Sequence, residues 1–198
     1  MTIQQMTSKL KSELLEKRFV HSIGVMECAV QLAKLYGADE QKTAIAGLLH
    51  DCAKNYSRDD MFAMCEKYGI ALDNVMKRET GLIHGLLGAE IARHEYGVDD
   101  PEIYDAIYYH TMGKPDMSLI TQIIYIADGI EKNRHYDGVD RIRALAYENL
   151  DKALILQIDY TIKSVLSKGS LLHTNTVDTR NFYLDKQKNI KYKEGQSI

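Results

Sequence analysis

The sequence predicts an all-α protein that folds as one compact domain. Apolar residues recur at the spacing of amphipathic helices along almost the whole chain, and alternating strand-like patterns are nearly absent. Only two prolines occur, Pro101 and Pro115, and each precedes an amphipathic pattern, as expected near a helix start. A chain of 198 residues can bury a core without disulfide bonds, so we expect residues 1–198 to form a single domain.

The helices are marked by signals at their ends. Gly37 in "YGADE" ends one helix, and Asp39 starts the next. Asp100 is an N-cap before Pro101, and Gly169 ends a long late helix. Together with the apolar spacing, these signals predict helices over residues 4–17, 20–36, 40–52, 58–68, 71–78, 80–96, 100–111, 116–133, 140–168 and 178–190.

The composition excludes several classes of protein. The net charge of −3 gives no sign of a nucleic-acid-binding surface, although a local basic pocket for a small anion remains open. The most apolar stretches are far shorter than the ~20 residues of a membrane span. Three cysteines without a CxxC pattern suit a reducing compartment. We therefore expect a cytoplasmic protein with no nucleic-acid or membrane partner.

A set of ionisable residues lies on apolar helix faces. In "GLLHDCAKNY" a histidine and an aspartate, His50 and Asp51, directly follow an apolar run. Each such residue alone is readily explained as a hydrogen-bonded core residue or a cap. If all members of the set were core residues, each would need its own buried hydrogen-bond partner, whereas a shared metal ion would satisfy them together. Its members are His21, His50, Asp51, His84, His110 and Asp128.

The types of ligand in this set limit which metal ions would suit the site. Imidazole and carboxylate without thiolate suit iron, manganese, cobalt or zinc. The set has enough ligands to hold one ion with spare water positions, or two ions bridged by a carboxylate. Paired ions are a familiar arrangement for displacement at phosphorus.

The order of these residues resembles that of the HD-domain metal-dependent phosphohydrolases, which have an all-α fold. Six segments of the chain resemble one bacterial HD-domain family more closely. They are "KRFVHSIGVMECAVQLAKLYG", "AGLLHDCAKNYS", "LIHGLLGAEIA", "IYYHTMG", "YIADGIEKNR" and "LLHTNTVDTRN". That family cleaves diadenosine tetraphosphate symmetrically into two ADP. The resemblance extends from about Lys17 to Asn181 and implies the same small-molecule substrate, a dinucleoside polyphosphate.

The resemblance also implies roles for particular residues. The metal would be iron, as one ion or two, held by His21, His50, Asp51 and Asp128. His84 and His110 would either hold a second ion or contact phosphate, and with Asp51 they are the expected catalytic residues. A metal-binding core over about 17–135 would be followed by a C-terminal helix and a nucleotide-contacting tail over about 140–198. The expected substrate-binding residues are His21, His84, His110, Thr111, Asp128, Arg134, His173, Thr174, Asn175, Thr176, Val177 and Asp178.

Several alternatives remain open at this point. The same metal core could act on a nucleoside monophosphate, a deoxynucleoside triphosphate or a guanosine alarmone, or the domain could be a catalytically silent nucleotide sensor. Lys54 either adds positive charge to the site or is a solvated residue at a helix end. The tail "LLHTNTVDTRN" is either an N-cap and turn or a loop that contacts the nucleoside, and the resemblance favours the loop. A homodimer also remains open.

Overall fold

A computed structural model of the chain describes residues 1–193. Within that range the chain forms ten α-helices and no β-strand, and a short 3-10 helix, Thr80–Leu82, precedes α5. The prediction of an all-α, single-domain fold is confirmed. The helices are α1 Ile3–Glu13, α2 Glu16–Tyr36, α3 Glu40–Leu49, α4 Arg58–Lys67, α5 Ile83–Tyr96, α6 Pro101–Tyr109, α7 Leu119–Ile130, α8 Val139–Glu148, α9 Leu150–Ser167 and α10 Thr174–Lys193.

Helix α7 lies at the centre of the packing. Every residue from Ile120 to Ala127 is buried, as expected for a helix that is apolar on all sides. It packs against α2, α3, α6, α8 and α9. A polar residue at the end of this helix, such as Asp128, is therefore held between several other helices.

Two of the predicted end signals act as the sequence indicates. The Asp39 carboxylate accepts a hydrogen bond from the backbone N–H of Lys42 and starts α3. Asp100 accepts from the backbone N–H groups of Glu102 and Ile103 and starts α6. These caps matter for the site because α3 and α6 each end at a histidine of the predicted set.

The helix predicted over residues 71–78 is wrong, because this segment forms turns. The Asp73 side chain accepts hydrogen bonds from the backbone N–H groups of Val75 and Met76, both at 2.8 Å. Such bonds from a side chain to nearby backbone compete with helix formation.

The long helix predicted over 140–168 is in fact two helices. Asn149 has an extended backbone, with φ −157° and ψ 105°, and its side chain caps α9 through the N–H of Lys152. Asparagine favours caps over helix interiors for this reason.

The first predicted helix, 4–17, is also shorter than expected. It ends at Glu13, and the extended backbone of Leu14 lets α2 begin at Glu16.

Two observations concern the predictions of reduced cysteines and of no membrane span. All three cysteines are free of disulfide bonds, and Cys52 and Cys65 are buried among apolar residues. In the part of the chain that the structure describes, no helix has both the length and the apolar character needed to cross a membrane.

Candidate metal centre

The structure brings the predicted ionisable set into one cluster. His50 and His110 are the C-cap residues of α3 and α6, so both project from helix ends. Three overlapping groups of these side chains have ligand atoms that all lie within 4.8 Å of one another. The groups are His21 with His50 and Asp51, His50 with His110 and Asp128, and Asp51 with His84 and His110.

The Asp51 carboxylate lies in the middle of the imidazoles. Its Oδ1 is 3.0 Å from His84 Nε2 and 3.8 Å from His110 Nε2. Its Oδ2 is 3.6 Å from His50 Nε2 and 3.8 Å from His21 Nε2. Each carboxylate oxygen thus faces two imidazoles, which is the arrangement expected of a group that can bridge two neighbouring ions.

Asp128 completes the half of the cluster formed by His21 and His50. Its Oδ1 lies 3.0 Å from His21 Nε2 and 3.7 Å from His50 Nε2. With Asp51, these residues make a set of two imidazoles and two carboxylates. The other half of the cluster contains His84 and His110, whose Nε2 atoms are 3.0 Å apart.

Backbone carbonyls orient three of the four imidazoles. His50, His84 and His110 each place Nδ1 within hydrogen-bond distance of the carbonyl oxygen three residues earlier. The acceptors are the carbonyls of Gly47 at 2.8 Å, Gly81 at 2.5 Å and Ile107 at 2.7 Å. A carbonyl can only accept, so Nδ1 carries the proton and the Nε2 lone pair is directed into the cluster, as metal-binding histidines require.

The buried imidazole of His50 shows whether these residues fit a metal ion. Its side chain is fully buried, and its Nε2 has no hydrogen-bond partner. Leaving a buried acceptor unpaired is unfavourable, and a metal ion would satisfy it. Burial lowers the pKa of His50 to about 4, and it lowers the pKa of His84 to about 4 as well. Both rings are therefore neutral near pH 7, with lone pairs available. The residues present fit a divalent transition metal.

The two aspartates remain ionised although they are buried. Burial by itself would raise the pKa of Asp51. In acid, however, the His50 and His84 rings become protonated, and together with His110 they hold the pKa of this carboxyl well below its ordinary value. Burial would likewise raise the pKa of Asp128, but His21 holds it well below its ordinary value, with His50 and Arg134 contributing. Two carboxylate charges are thus available to a cation.

Glu131 is a functional residue that the sequence prediction missed. Its Oε1 lies 3.1 Å from His21 Nδ1, and its side chain is 2% exposed. This carboxylate orients His21, the one imidazole that has no backbone carbonyl for the purpose. In the sequence it lies in the charged run "EKNR" and looks solvated. The structure shows how closely it packs at Gly24, one turn after His21, where a Cβ atom would collide with the Glu131 carboxylate.

Three cationic side chains lie beside the cluster. Arg18 donates to Asp51 Oδ2 at 2.7 Å, and Arg134 donates to both the carboxylate and the backbone carbonyl of Asp128. Lys54 Nζ lies 3.1 Å from both ring nitrogens of His84, and burial lowers the pKa of this lysine. The structure therefore favours the interpretation of Lys54 as a residue that adds positive charge to the site over that of a solvated residue at a helix end.

A cavity of about 710 Å³ opens at this cluster. Asp51, His84, His110 and Asp128 line one part of it, next to Arg18 and Arg134. Thr111 also lines it, and the Thr111 hydroxyl oxygen is buried without a hydrogen-bond partner. The remaining wall includes Tyr125, Tyr136 and one face of α9. A volume of this size is typical of a small-molecule site.

The tail segment is placed differently from the prediction. The expected loop is the start of α10, which begins at Thr174 and not at residue 178. His173 is buried and bonded to Asp73 at 2.7 Å, while its Nδ1 accepts from the N–H of Asn175. Although residues 173–178 are all among those described, none of them lines the cavity. Their contact with nucleotide stays a prediction.

Comparison with known protein families gives this arrangement a context. The HD domain profile matches residues 18–133, which is more than half of the chain and includes every residue of the cluster. The chain belongs to the HD-domain family. The matched segment contains the whole cluster, while α8, α9 and α10 lie beyond it.

Individual relatives of this HD-domain protein cover nearly its whole length. A symmetrical bis(5'-nucleosyl)-tetraphosphatase from Halalkalibacterium halodurans is 38% identical over 179 residues, which are 90% of this chain and 95% of the relative. The Bacillus subtilis protein of the same name is 38% identical over 173 residues, 87% and 92% of the two chains. These relatives confirm the resemblance found in the sequence.

A solved structure supports the fold. It is the crystal structure of a Clostridium acetobutylicum protein described as a "predicted HD superfamily hydrolase involved in NAD metabolism". The two structures superpose with a TM-score of 0.91 at 44% sequence identity, over 94% of this chain and 98% of the other.

Proposed function

We propose that this HD-domain protein is a metal-dependent phosphoanhydride hydrolase that cleaves diadenosine tetraphosphate symmetrically into two ADP. The observation that carries the proposal is the Asp51 carboxylate, which faces four imidazoles at a cavity lined by Arg18, Lys54 and Arg134. A metal-binding cluster next to cationic groups suits a polyphosphate. The substrate choice follows the relatives that are 38% identical over most of the chain.

The residues proposed to hold metal form two sets that share Asp51. His21, His50, Asp51 and Asp128 would hold one ion. His84 and His110 would hold a second ion, with Asp51 shared between the two, or they would contact phosphate. A bound divalent metal supplies Lewis acidity and lowers the pKa of water, so that hydroxide is available near pH 7. We expect iron, and the donor set also suits manganese, cobalt or zinc.

The cationic side chains would position and neutralise the phosphates. Arg134 uses its Nε and one terminal nitrogen on Asp128, and its other terminal nitrogen remains for phosphate. Lys54 and Arg18 are half-buried beside the cluster and add positive charge. The buried Thr111 hydroxyl is a further group that can bond to a phosphoryl oxygen, because it has no partner in the protein.

The proposed cleavage is symmetrical for a positional reason. If the protein binds one ADP half at the cluster, the phosphorus presented for attack is the one that links this half to the other. His84 and His110 would contact the reacting phosphate, and residues 173–178 would contact the nucleoside of the bound half. Both products are then ADP.

A substrate panel tests this proposal. The purified protein is loaded with iron or manganese and incubated with diadenosine tetraphosphate, nucleoside monophosphates, deoxynucleoside triphosphates and a guanosine alarmone, and the products are separated by chromatography. We expect ADP as the sole product from diadenosine tetraphosphate. Equal amounts of ATP and AMP would show that attack occurs at another phosphorus. Faster turnover of another nucleotide would make that nucleotide the substrate, and binding without turnover would indicate a sensor.

A further inference from the structure

Helix α9 presents a single face to the cavity. Each residue of α9 that lines the cavity has another lining residue three or four positions away, which is the spacing of one helix face. They are Gln157, Tyr160, Thr161, Ser164, Val165 and Lys168, the last being the helix C-cap. At 1.5 Å per residue this row is about 16 Å long. The cavity is therefore elongated along α9, as an extended dinucleotide would require.

The two ends of this row differ in character. Lys168 lies at the end that leads into residues 173–178, the segment proposed to contact the nucleoside of the bound ADP half. The other end has Tyr160, whose ring centroid is 6.4 Å from that of Tyr136, with the ring planes at 59°. Both tyrosines line the cavity, and Tyr136 is 39% exposed. The pair forms an open aromatic notch.

Local structure holds this notch in place. Gly138 has φ +90°, and a Cβ atom there would collide with the Tyr160 hydroxyl, so the segment that carries Tyr136 packs closely against α9. Tyr136 is two residues after Arg134, which is bonded to Asp128 in the cluster. Going outward from the cluster, the order is therefore the Asp128 carboxylate, the Arg134 guanidinium and the Tyr136 ring. The Lys163 ammonium lies 5.7 Å from the Tyr160 ring centroid and adds positive charge beside the pair.

An unpaired polar atom also points to a ligand at this end. Gln157 is 7% exposed, lines the cavity, and donates its side-chain N–H to the Tyr125 carbonyl at 2.6 Å. Its Oε1 atom is buried without a hydrogen-bond partner. A bound group with an N–H donor would satisfy it.

We propose that Tyr136 and Tyr160 form the binding site for the second nucleobase of a dinucleoside polyphosphate. The inference rests on the proposed function, because it takes the substrate to have two nucleosides. Aromatic side chains bind nucleobases by stacking, and the adjacent cationic groups bind the phosphates that connect the two halves. Tyr160 and Lys168 are eight residues apart, or about 12 Å along α9. This separation leaves the first nucleoside at the Lys168 end and the second at the tyrosines.

The experiment compares two substrates that differ in the second nucleoside. Diadenosine tetraphosphate has it, and adenosine 5'-tetraphosphate lacks it. We expect Tyr136→Leu and Tyr160→Leu to raise the KM for diadenosine tetraphosphate by about fivefold to a hundredfold, the range for loss of one base–aromatic stack. The KM of adenosine 5'-tetraphosphate, or its inhibition constant if it is not cleaved, should stay near the wild-type value. Tyr136→Phe and Tyr160→Phe keep the ring and should retain the wild-type KM.

A matched variant controls for the loss of any surface tyrosine. Tyr147 is 45% exposed on α8, bonds to Gln31 and does not line the cavity, so Tyr147→Leu should change neither constant. Equal effects of the leucine variants on both substrates, or no effect on either, would overturn the inference. Wild-type protein that does not cleave diadenosine tetraphosphate would instead reject the proposed function, so the two failures are distinguishable.

Discussion

Glu131 and His21 form a buried pair in which the imidazole Nδ1 lies 3.1 Å from the carboxylate oxygen. The two residues are 110 positions apart in sequence and come together because α2 packs against α7. With Nδ1–H donated to Glu131, the Nε2 lone pair of His21 faces Asp128 and Asp51, as its proposed role as a metal ligand requires.

Removing the charge of Glu131 should weaken metal binding without removing a ligand. We expect Glu131→Gln to lower the metal affinity by about tenfold to a hundredfold, as is typical when the partner of a metal-binding histidine is lost. The measurement is titration of metal-stripped protein with Mn²⁺ or Zn²⁺. Glu27→Gln is the matched control, because Glu27 forms an exposed ion pair with Lys132. An unchanged affinity in Glu131→Gln would show that His21 needs no such orientation.

The proposed ligand pair at the end of α3, His50 and Asp51, should be essential for both metal content and hydrolysis. Asp51→Asn removes the charge that faces four imidazoles, and His50→Ala removes the unpaired Nε2. We expect either variant to lose bound metal and activity together, with the helical circular dichroism spectrum largely kept. His94→Ala serves as the control, since His94 is exposed on α5, where it contacts Glu90 and stacks on Tyr68 away from the cluster. Full activity in either ligand variant would reject the metal centre.

Arg134 should affect the substrate more than the metal. A guanidinium has no lone pair for a cation, so Arg134→Ala should keep its metal content. Loss of a charge-assisted phosphate contact should lower kcat/KM for diadenosine tetraphosphate by roughly tenfold to a hundredfold, and Arg134→Lys should recover only part of this. Kinetics and metal analysis on the same preparations decide the matter. If kcat/KM stays near normal, the phosphate contact must be sought at Lys54 or Arg18.

Arg143 should be a positioning residue for the segment that supports the cluster. Its guanidinium donates to the backbone carbonyls of Ile130, Glu131 and Arg134 at 2.8, 2.9 and 2.6 Å. We expect Arg143→Gln to lower the free energy of unfolding by about 1–3 kcal/mol and also to weaken metal binding and raise KM. Arg141→Gln, at an exposed position of the same helix, should change none of these. A loss of stability without any change in metal affinity or KM would limit Arg143 to a role in the fold.

The metal-free protein should lose stability as the pH falls through the weakly acidic range. His50 and His84 have folded-state pKa values lowered to about 4 by burial, against 6.5 for an ordinary histidine. Between these values the unfolded chain binds more protons than the folded chain, so stability rises with pH. Thermal unfolding of chelator-treated protein from pH 4.5 to pH 7 measures this. His50→Gln should flatten the dependence, and a wild-type Tm that does not change over this range would contradict the burial argument.

The cluster was predictable from sequence because its members break a strong pattern. Histidines and aspartates on otherwise apolar helix faces are uncommon, and the helical period identifies them without any knowledge of long-range packing. His50, Asp51 and His110 stand out in this way. The all-α fold was predictable on the same basis, since the apolar spacing runs through almost every helix.

The remaining features depend on contacts that a local pattern does not encode. Glu131 lies just past the end of α7 among charged residues, and its burial depends on long-range packing such as the contact with Gly24 of α2. Asn149 divides a continuous apolar pattern because its side chain caps α9, and Asp73 converts a predicted helix into turns. The tyrosine notch pairs Tyr136 with a residue 24 positions later in the chain.

The backbone acceptors at Gly47, Gly81 and Ile107 have a consequence for how this centre can change during evolution. A main-chain carbonyl survives any side-chain substitution, so the orientation of three imidazoles is protected against most point mutations. His21 alone depends on a side chain, Glu131. Changes at that one position could alter ligand basicity, and with it metal preference, while every ligand stays in place. A lineage could thus adapt to a different metal supply through a single residue.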